Sequence, residues 1–305
     1  MLPVNFRNTW NNPEDLANLI NVTLDDGFIA DCLEPARQLR RIDPQPKRAA
    51  NLLAFVLLKL SNFDEAEEIL GDAIKRHGKD GLLLNNLAKI HSGRGDQAAV
   101  ERTLWESLQL DPNLENSFGW YVANFRERSG EGAALEATRR IAALPGSWRA
   151  QLWLARAALK SRQLDEALAL YRETLSRAPK PVPGDLLQQM SGDLGMAGHL
   201  PEVLQLTEPH FDCAKHGLRV GNNLIKAHLD LGQLDAARQI LDQLYAFNRA
   251  DWKEGLQFWE TEIAKTRIAT SAPEQKEPIK LSMLTIDGPV WLAASSPLWI
   301  RGHFH

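Results

Sequence analysis

Residues 162–171 read RQLDEALALY. A polar turn leads into Leu164 and an acidic pair. A small residue, Ala167, follows, and a large one, Tyr171, comes four positions later. That order puts Ala167 and Tyr171 one turn apart on the same face of a helix. The phrase recurs as SNFDEAEEIL from Ser61, GDQAAVERTL from Gly95 and GQLDAARQIL from Gly232. Looser copies are GFIADCLEPA from Gly27, SGEGAALEAT from Ser129 and GHLPEVLQLT from Gly198. Aligned on the small residue, the copies fall at Cys32, Ala66, Val100, Ala134, Ala167, Val203 and Ala237, with spacings of 34, 34, 34, 33, 36 and 34 residues. A steady period of this length marks an array of supersecondary units, each too small to bury its own apolar stripe.

The residues around each anchor sharpen the reading. Ala66 is followed by Leu70, Ala73 and Gly78, Val100 by Leu104, Ser107 and Pro112, and Ala167 by Tyr171, Thr174 and Pro179. Upstream, Leu84, Leu87, Ala88 and His91 serve one unit, and Phe118, Tyr121, Val122 and Phe125 the next. With this pattern the chain resembles the tetratricopeptide repeat (TPR) family over residues 13–248. The resemblance implies an all-α, right-handed α-solenoid of stacked helix–turn–helix units, seven in number, the first (residues 13–46) the most divergent. It implies that the small residues sit where the two helices of a unit cross. Gly27, Gly95, Gly198 and Gly232 mark the turn inside a unit. Asp43-Pro44 and Asp111-Pro112 each end a helix. Cys32 fills a small-residue slot, so a buried structural thiol is expected. Residues 249–267 (RADWKEGLQFWETEIAKTR) carry Trp252, Leu256, Trp259 and Ile263 at helical spacing and read as a terminal capping helix. The array is therefore expected to occupy residues 1–267.

Residues 268–278 (IATSAPEQKEP) are polar with two prolines and read as a linker. Residues 279–305 alternate in polarity around Asp287-Gly288 and read as a short strand-like C-terminal tail. The tail either packs back on the array or opens a working domain beyond it. On the second reading the array is a regulatory or docking segment of a larger multidomain protein.

The formal net charge is −4, with 44% hydrophobic and 24% charged residues. No basic footprint suits nucleic acid or an anionic membrane surface. The most apolar run, near residues 49–60, is shorter than the roughly 20 residues a bilayer span needs. Two widely separated cysteines give no disulfide framework. A cytoplasmic protein of bacterial style is expected. The sequence holds no glycine-rich phosphate loop, no G-x-S-x-G elbow and no H-E-x-x-H, so neither an enzyme nor a cofactor is expected. His210, Cys213 and His216 have ligand spacing but lack an obvious fourth ligand, and no metal is expected there.

The function expected is a non-enzymatic scaffold for a protein or peptide. The resemblance implies that the first helix of each unit lines a concave groove. The groove positions are Asn85, Asn86 and Lys89 in the third unit, Trp120 in the fourth, Arg149, Trp153 and Arg156 in the fifth, and Asn222, Asn223 and Lys226 in the seventh. Asn85 and Asn222 each open an N-N-x-x-K string. An asparagine amide can clasp the backbone of an extended peptide, and a lysine one turn on favours an acidic partner. The tryptophans could anchor a partner side chain or lie in the core. The family's carboxylate clamp is not reproduced: Asn86 fits one slot, but Phe55 and Trp120 stand where asparagine and arginine would be needed.

Overall fold

A computed structural model of the chain describes residues 4–271. The strand-like tail and most of the linker read from the sequence lie outside these residues. Among the described residues every regular element is helical. The fold is an all-α solenoid of helix–turn–helix pairs, and the chain divides into two compact units, Met1–Ala150 and Gln151–His305.

The first unit opens with α1 (Val4–Thr9), then α2 (Pro13–Asp25) with α3 (Leu33–Ile42), α4 (Pro46–Lys59) with α5 (Phe63–His77), and α6 (Gly81–Gly93) with α7 (Gln97–Leu110). The fourth pair is one continuous run, α8 (Glu115–Ala142), broken at Gly130, whose φ of 81° and ψ of −175° leave the helical region. The second unit holds most of α9 (Arg149–Lys160), paired with α10 (Leu164–Arg177). It continues with α11 (Gly184–Met196) and α12 (Leu200–Thr207), α13 (Cys213–Asp230) and α14 (Leu234–Tyr245), and ends with α15 (Lys253–Ser271). The terminal helix thus runs four residues into the stretch read as linker.

The seven anchors are buried: Cys32, Ala66, Val100, Ala167, Val203 and Ala237 are 0% exposed and Ala134 2%. Small side chains at these crossings let paired helices approach closely. Larger residues such as Leu70, Leu104, Tyr171 and Leu241 fill the space beside them. Burial of Cys32 pushes its thiol up to about 11, with the nearby Asp31 carboxylate adding to the effect. It is a structural thiol with no thiolate character at neutral pH.

The turn inside each pair follows one rule. Seven residues adopt positive φ there: Gly27 (86°), Ser61 (59°), Gly95 (76°), Gly130 (81°), Arg162 (61°), Gly198 (81°) and Gly232 (73°). In six of the turns the next residue donates its N–H back to the carbonyl five positions earlier: Phe28 to Thr23, Asn62 to Leu57, Asp96 to His91, Gln163 to Ala158, His199 to Leu194 and Gln233 to His228, at 2.8–3.0 Å. This left-handed cap satisfies carbonyls that the helix end would otherwise strand. Nothing lies within 4 Å of a Cβ built on Gly95, so a substitution there acts on the backbone alone. Gly95→Ala is expected to cost about 1–2 kcal/mol. Ser61→Gly is expected to be neutral or to stabilise by up to about 1 kcal/mol, because it relieves the same strain in the opposite sense. Urea denaturation of both variants checks the sign.

Candidate functional site

The first helices carry the residues that sequence reasoning placed in a groove, and packing has claimed several of them. Asn85 is 2% exposed. Its Nδ2 donates to Ser117 Oγ at 3.0 Å. Asn223 is 0% exposed, and its Nδ2 donates to Ser191 Oγ (2.8 Å) and to the Gln188 carbonyl (3.3 Å). Neither is a surface clasp. Both are buried because first helices pack directly on one another, Asn85 against the following α8 and Asn223 against the preceding α11, where a short amide fits and a buried amide must find partners. Asn86 does the same work nearer the surface. Its Nδ2 donates to Asn51 Oδ1 (3.1 Å) and to the Asn51 carbonyl (3.4 Å). The second asparagine of each N-N-x-x-K string therefore reaches a backbone carbonyl 35 residues earlier, Asn86 to Asn51 and Asn223 to Gln188. The repeated string is a stitch between neighbouring repeats.

Arg149 is likewise engaged within the fold. It is 7% exposed and its Nε donates to the Asn113 carbonyl at 2.8 Å. Its guanidinium lies 3.6 Å from Glu115 and over the Trp148 ring. Asn113 Oδ1 accepts from the backbone N–H groups of Trp148 and Arg149 at 2.9 and 3.0 Å. In the second unit, Arg156 Nε sits 3.1 and 2.9 Å from the two oxygens of the buried Asp193. Asn222 Oδ1 accepts from Trp259 Nε1 at 2.7 Å, which ties the terminal helix α15 to α13. Lys226 donates to Asp230 at 2.7 Å. Trp120 and Trp153 are half-buried.

One accessible cluster remains on the first helices of the first unit. The half-buried Phe55 ring of α4 lies under two ammonium groups, Lys59 Nζ 5.5 Å and Lys89 Nζ 4.8 Å from its centroid. Lys89 also donates to Asn86 Oδ1 at 3.0 Å. Its pKa is drawn down to about 8, first by burial and then by the charge of Lys59. Neither lysine has a carboxylate partner among the described residues. Sequence reasoning did not select Phe55 or Lys59 as site residues. The available signal was the repeat register, since Phe55 precedes Lys89 by one 34-residue period.

The H-x2-C-x2-H string is engaged within the fold. His216 Nδ1 accepts from the Asp212 N–H at 2.8 Å, which leaves Nε2 protonated and donating to the Val182 carbonyl at 2.8 Å. Cys213 Sγ donates to Gln243 Oε1 at 3.3 Å. Among the described residues no three His, Cys, Asp or Glu side chains converge as metal ligands. No helix among them is long and apolar enough to cross a membrane.

Tetratricopeptide repeat family models match residues 48–79, 128–181 and 218–243. No curated protein matches the sequence. Among solved structures, the chain is similar to a tetratricopeptide repeat protein from Parabacteroides merdae, at 15% identity and a TM-score of 0.35, covering 83% of this chain and 98% of that one. It is also similar to a chain of the APC/C hetero-tetramer Cut9–Hcn1, at 18% identity and a TM-score of 0.37, covering 87% of this chain and 51% of that one. A chain of Naa15/Naa10 bound to HypK-THB is similar at 15% identity and a TM-score of 0.37, covering 85% of this chain and 42% of that one.

Proposed function

This chain is a tetratricopeptide-repeat protein, and from that premise we propose that it is a non-catalytic scaffold that binds an acidic segment of a protein partner on its first-helix faces. One observation carries the reading: Lys59 and Lys89 crowd the Phe55 ring with no carboxylate among the described residues to balance them. Elsewhere on these faces Arg149, Arg156 and Lys226 are paired with carboxylates of the same unit. Two like charges held together destabilise the free protein, and an incoming Asp or Glu removes that repulsion. The ring beneath supplies apolar contact for the stem of the same side chain. The free, buried thiols Cys32 and Cys213 suit a reducing compartment, and on that ground we place the protein in the cytoplasm.

Fluorescent peptides bearing Asp or Glu, compared with their Asn and Gln counterparts, test the reading by anisotropy. The acidic set is expected to bind more tightly. Lys59→Glu with Lys89→Glu is expected to weaken binding by about tenfold or more, with the fold checked by circular dichroism. Affinity is expected to hold from pH 6 to 7.5 and to fall above pH 8, because the amine must be charged to bind and its free pKa lies near 8. Equal binding of acidic and neutral peptides, or no change in the charge-reversed variant, would remove this patch from the function.

A further inference from the structure

A second feature lies on the other helices of the first unit. Ala98, Glu101, Arg102 and Trp105 form one face of α7, at the spacing that aligns residues along a helix. With Tyr121 and Arg140 of α8 they line a cleft of about 320 Å³. Arg140 is held at two points. Its guanidinium carbon lies 3.8 Å from the centre of the Trp105 ring, and its Nη1 donates to the hydroxyl of Tyr121 at 2.9 Å. Tyr121 is itself 1% exposed, and its ring packs against Trp105 and Phe125.

The electrostatics of the cleft do not close. Its one carboxylate, Glu101, is taken by Arg128 at 2.9 Å. Arg102 and Arg140 have no carboxylate partner among the described residues. Other arginines of this unit do: Arg40 meets Asp72, and Arg94 meets both Asp64 and Glu67. Fixing a long side chain costs rotamer entropy, and in Arg140 that cost is met by a ring and a hydroxyl rather than by an opposite charge. The result is a planar fork, preorganised, with N–H groups left over and a second guanidinium one turn from Trp105. Such a fork matches an oxyanion in bidentate fashion, and preorganisation lowers the cost of binding one.

We propose that this cleft binds a phosphate monoester carried on an aromatic or apolar group. The dianion balances Arg102 and Arg140, and the carrier lies against Ala98 and the indole of Trp105. The site is independent of the acidic-segment reading, since it lies on different helices and would select a phosphate on an aromatic or apolar carrier rather than a carboxylate side chain.

The test titrates the full chain with phenyl phosphate, phenol and inorganic phosphate, following the indole N–H signal that Trp105→Phe removes. Phenyl phosphate is expected to saturate, inorganic phosphate to bind more weakly, and phenol not to bind. Arg140→Gln is expected to weaken phenyl phosphate about tenfold or more. Tyr121→Phe, which keeps the ring but releases Arg140, is expected to cause a smaller loss. A phosphotyrosyl peptide binding at least about tenfold tighter than phenyl phosphate assigns the ester to a protein partner, and equal affinity assigns it to a free small molecule. Absence of a saturable shift, or undiminished binding by a folded Arg140→Gln protein, would overturn the proposal.

Discussion

Arg156→Ala is expected to lower the unfolding free energy by about 3–5 kcal/mol at pH 7. Asp193 is 7% exposed and rests on three contacts. Arg156 Nε reaches both of its oxygens, and the hydroxyl of the fully buried Tyr171 donates to Oδ2 at 3.4 Å. Arg156 also donates from Nη2 to Gln189 Oε1 at 3.3 Å. Removing the guanidinium leaves a buried carboxylate with one long hydrogen bond. The pH dependence follows from the direction of the shift. Burial raises the Asp193 pKa above the ordinary carboxylate range, and the charge and hydrogen bonds of Arg156 pull it partly back. Without Arg156 the folded-state pKa rises further above the unfolded one. The extra cost of folding with an ionised Asp193 is then fully present at pH 7 and fades as the carboxyl protonates. Acidification from pH 7 towards pH 5 should therefore narrow the gap between variant and parent. Urea denaturation at the two pH values, with Arg156→Lys as a partial rescue, measures it. A loss below about 1 kcal/mol, or one that does not change with pH, would show the pair to be incidental.

The fold was legible because its rules act at fixed offsets. A crossing of two helices accepts only a small side chain, so Cys32, Ala66 and the five later anchors repeat at the period of the structure. The turns were partly legible. Gly27, Gly95, Gly198 and Gly232 announce themselves, because glycine is the residue that takes positive φ freely. Ser61 and Arg162 hold the same conformation with no compositional sign, and only their place in the period gives them away. The groove was harder to read. Family register says that a first-helix position faces the groove, but it does not say how closely the neighbouring first helices approach. Asn85 and Asn223 look like surface amides in the sequence, and their burial depends on Ser117 and Ser191, 32 residues away in opposite directions. The arginine cleft was not read at all. Trp105 and Arg140 lie 35 residues apart, one repeat plus one residue, and nothing local to either marks the pair.

The Asn85 case yields the second large effect. Four groups form a buried chain: Asn85 Nδ2 to Ser117 Oγ at 3.0 Å, Ser117 Oγ to Ser107 Oγ at 2.7 Å, and Ser107 Oγ to the Gly81 carbonyl at 2.8 Å. The proton order is fixed. The Gly81 carbonyl can only accept, so Ser107 donates to it. Ser117 must then donate to Ser107 and accept from the amide. Ser107 and Ser117 are both 0% exposed, so water does not stand in for a missing partner. Ser117→Ala strands an amide donor and a hydroxyl acceptor together, and a cost of about 2–3 kcal/mol is expected. Replacing Asn85 by Leu in the same background removes the stranded donor. The double variant should then be less destabilised than the sum of the two single changes by about 1 kcal/mol or more. A double-mutant cycle by urea denaturation reads this coupling directly. Strict additivity would mean that the two side chains act separately and that the ordered chain of donors does not hold the third and fourth repeats together.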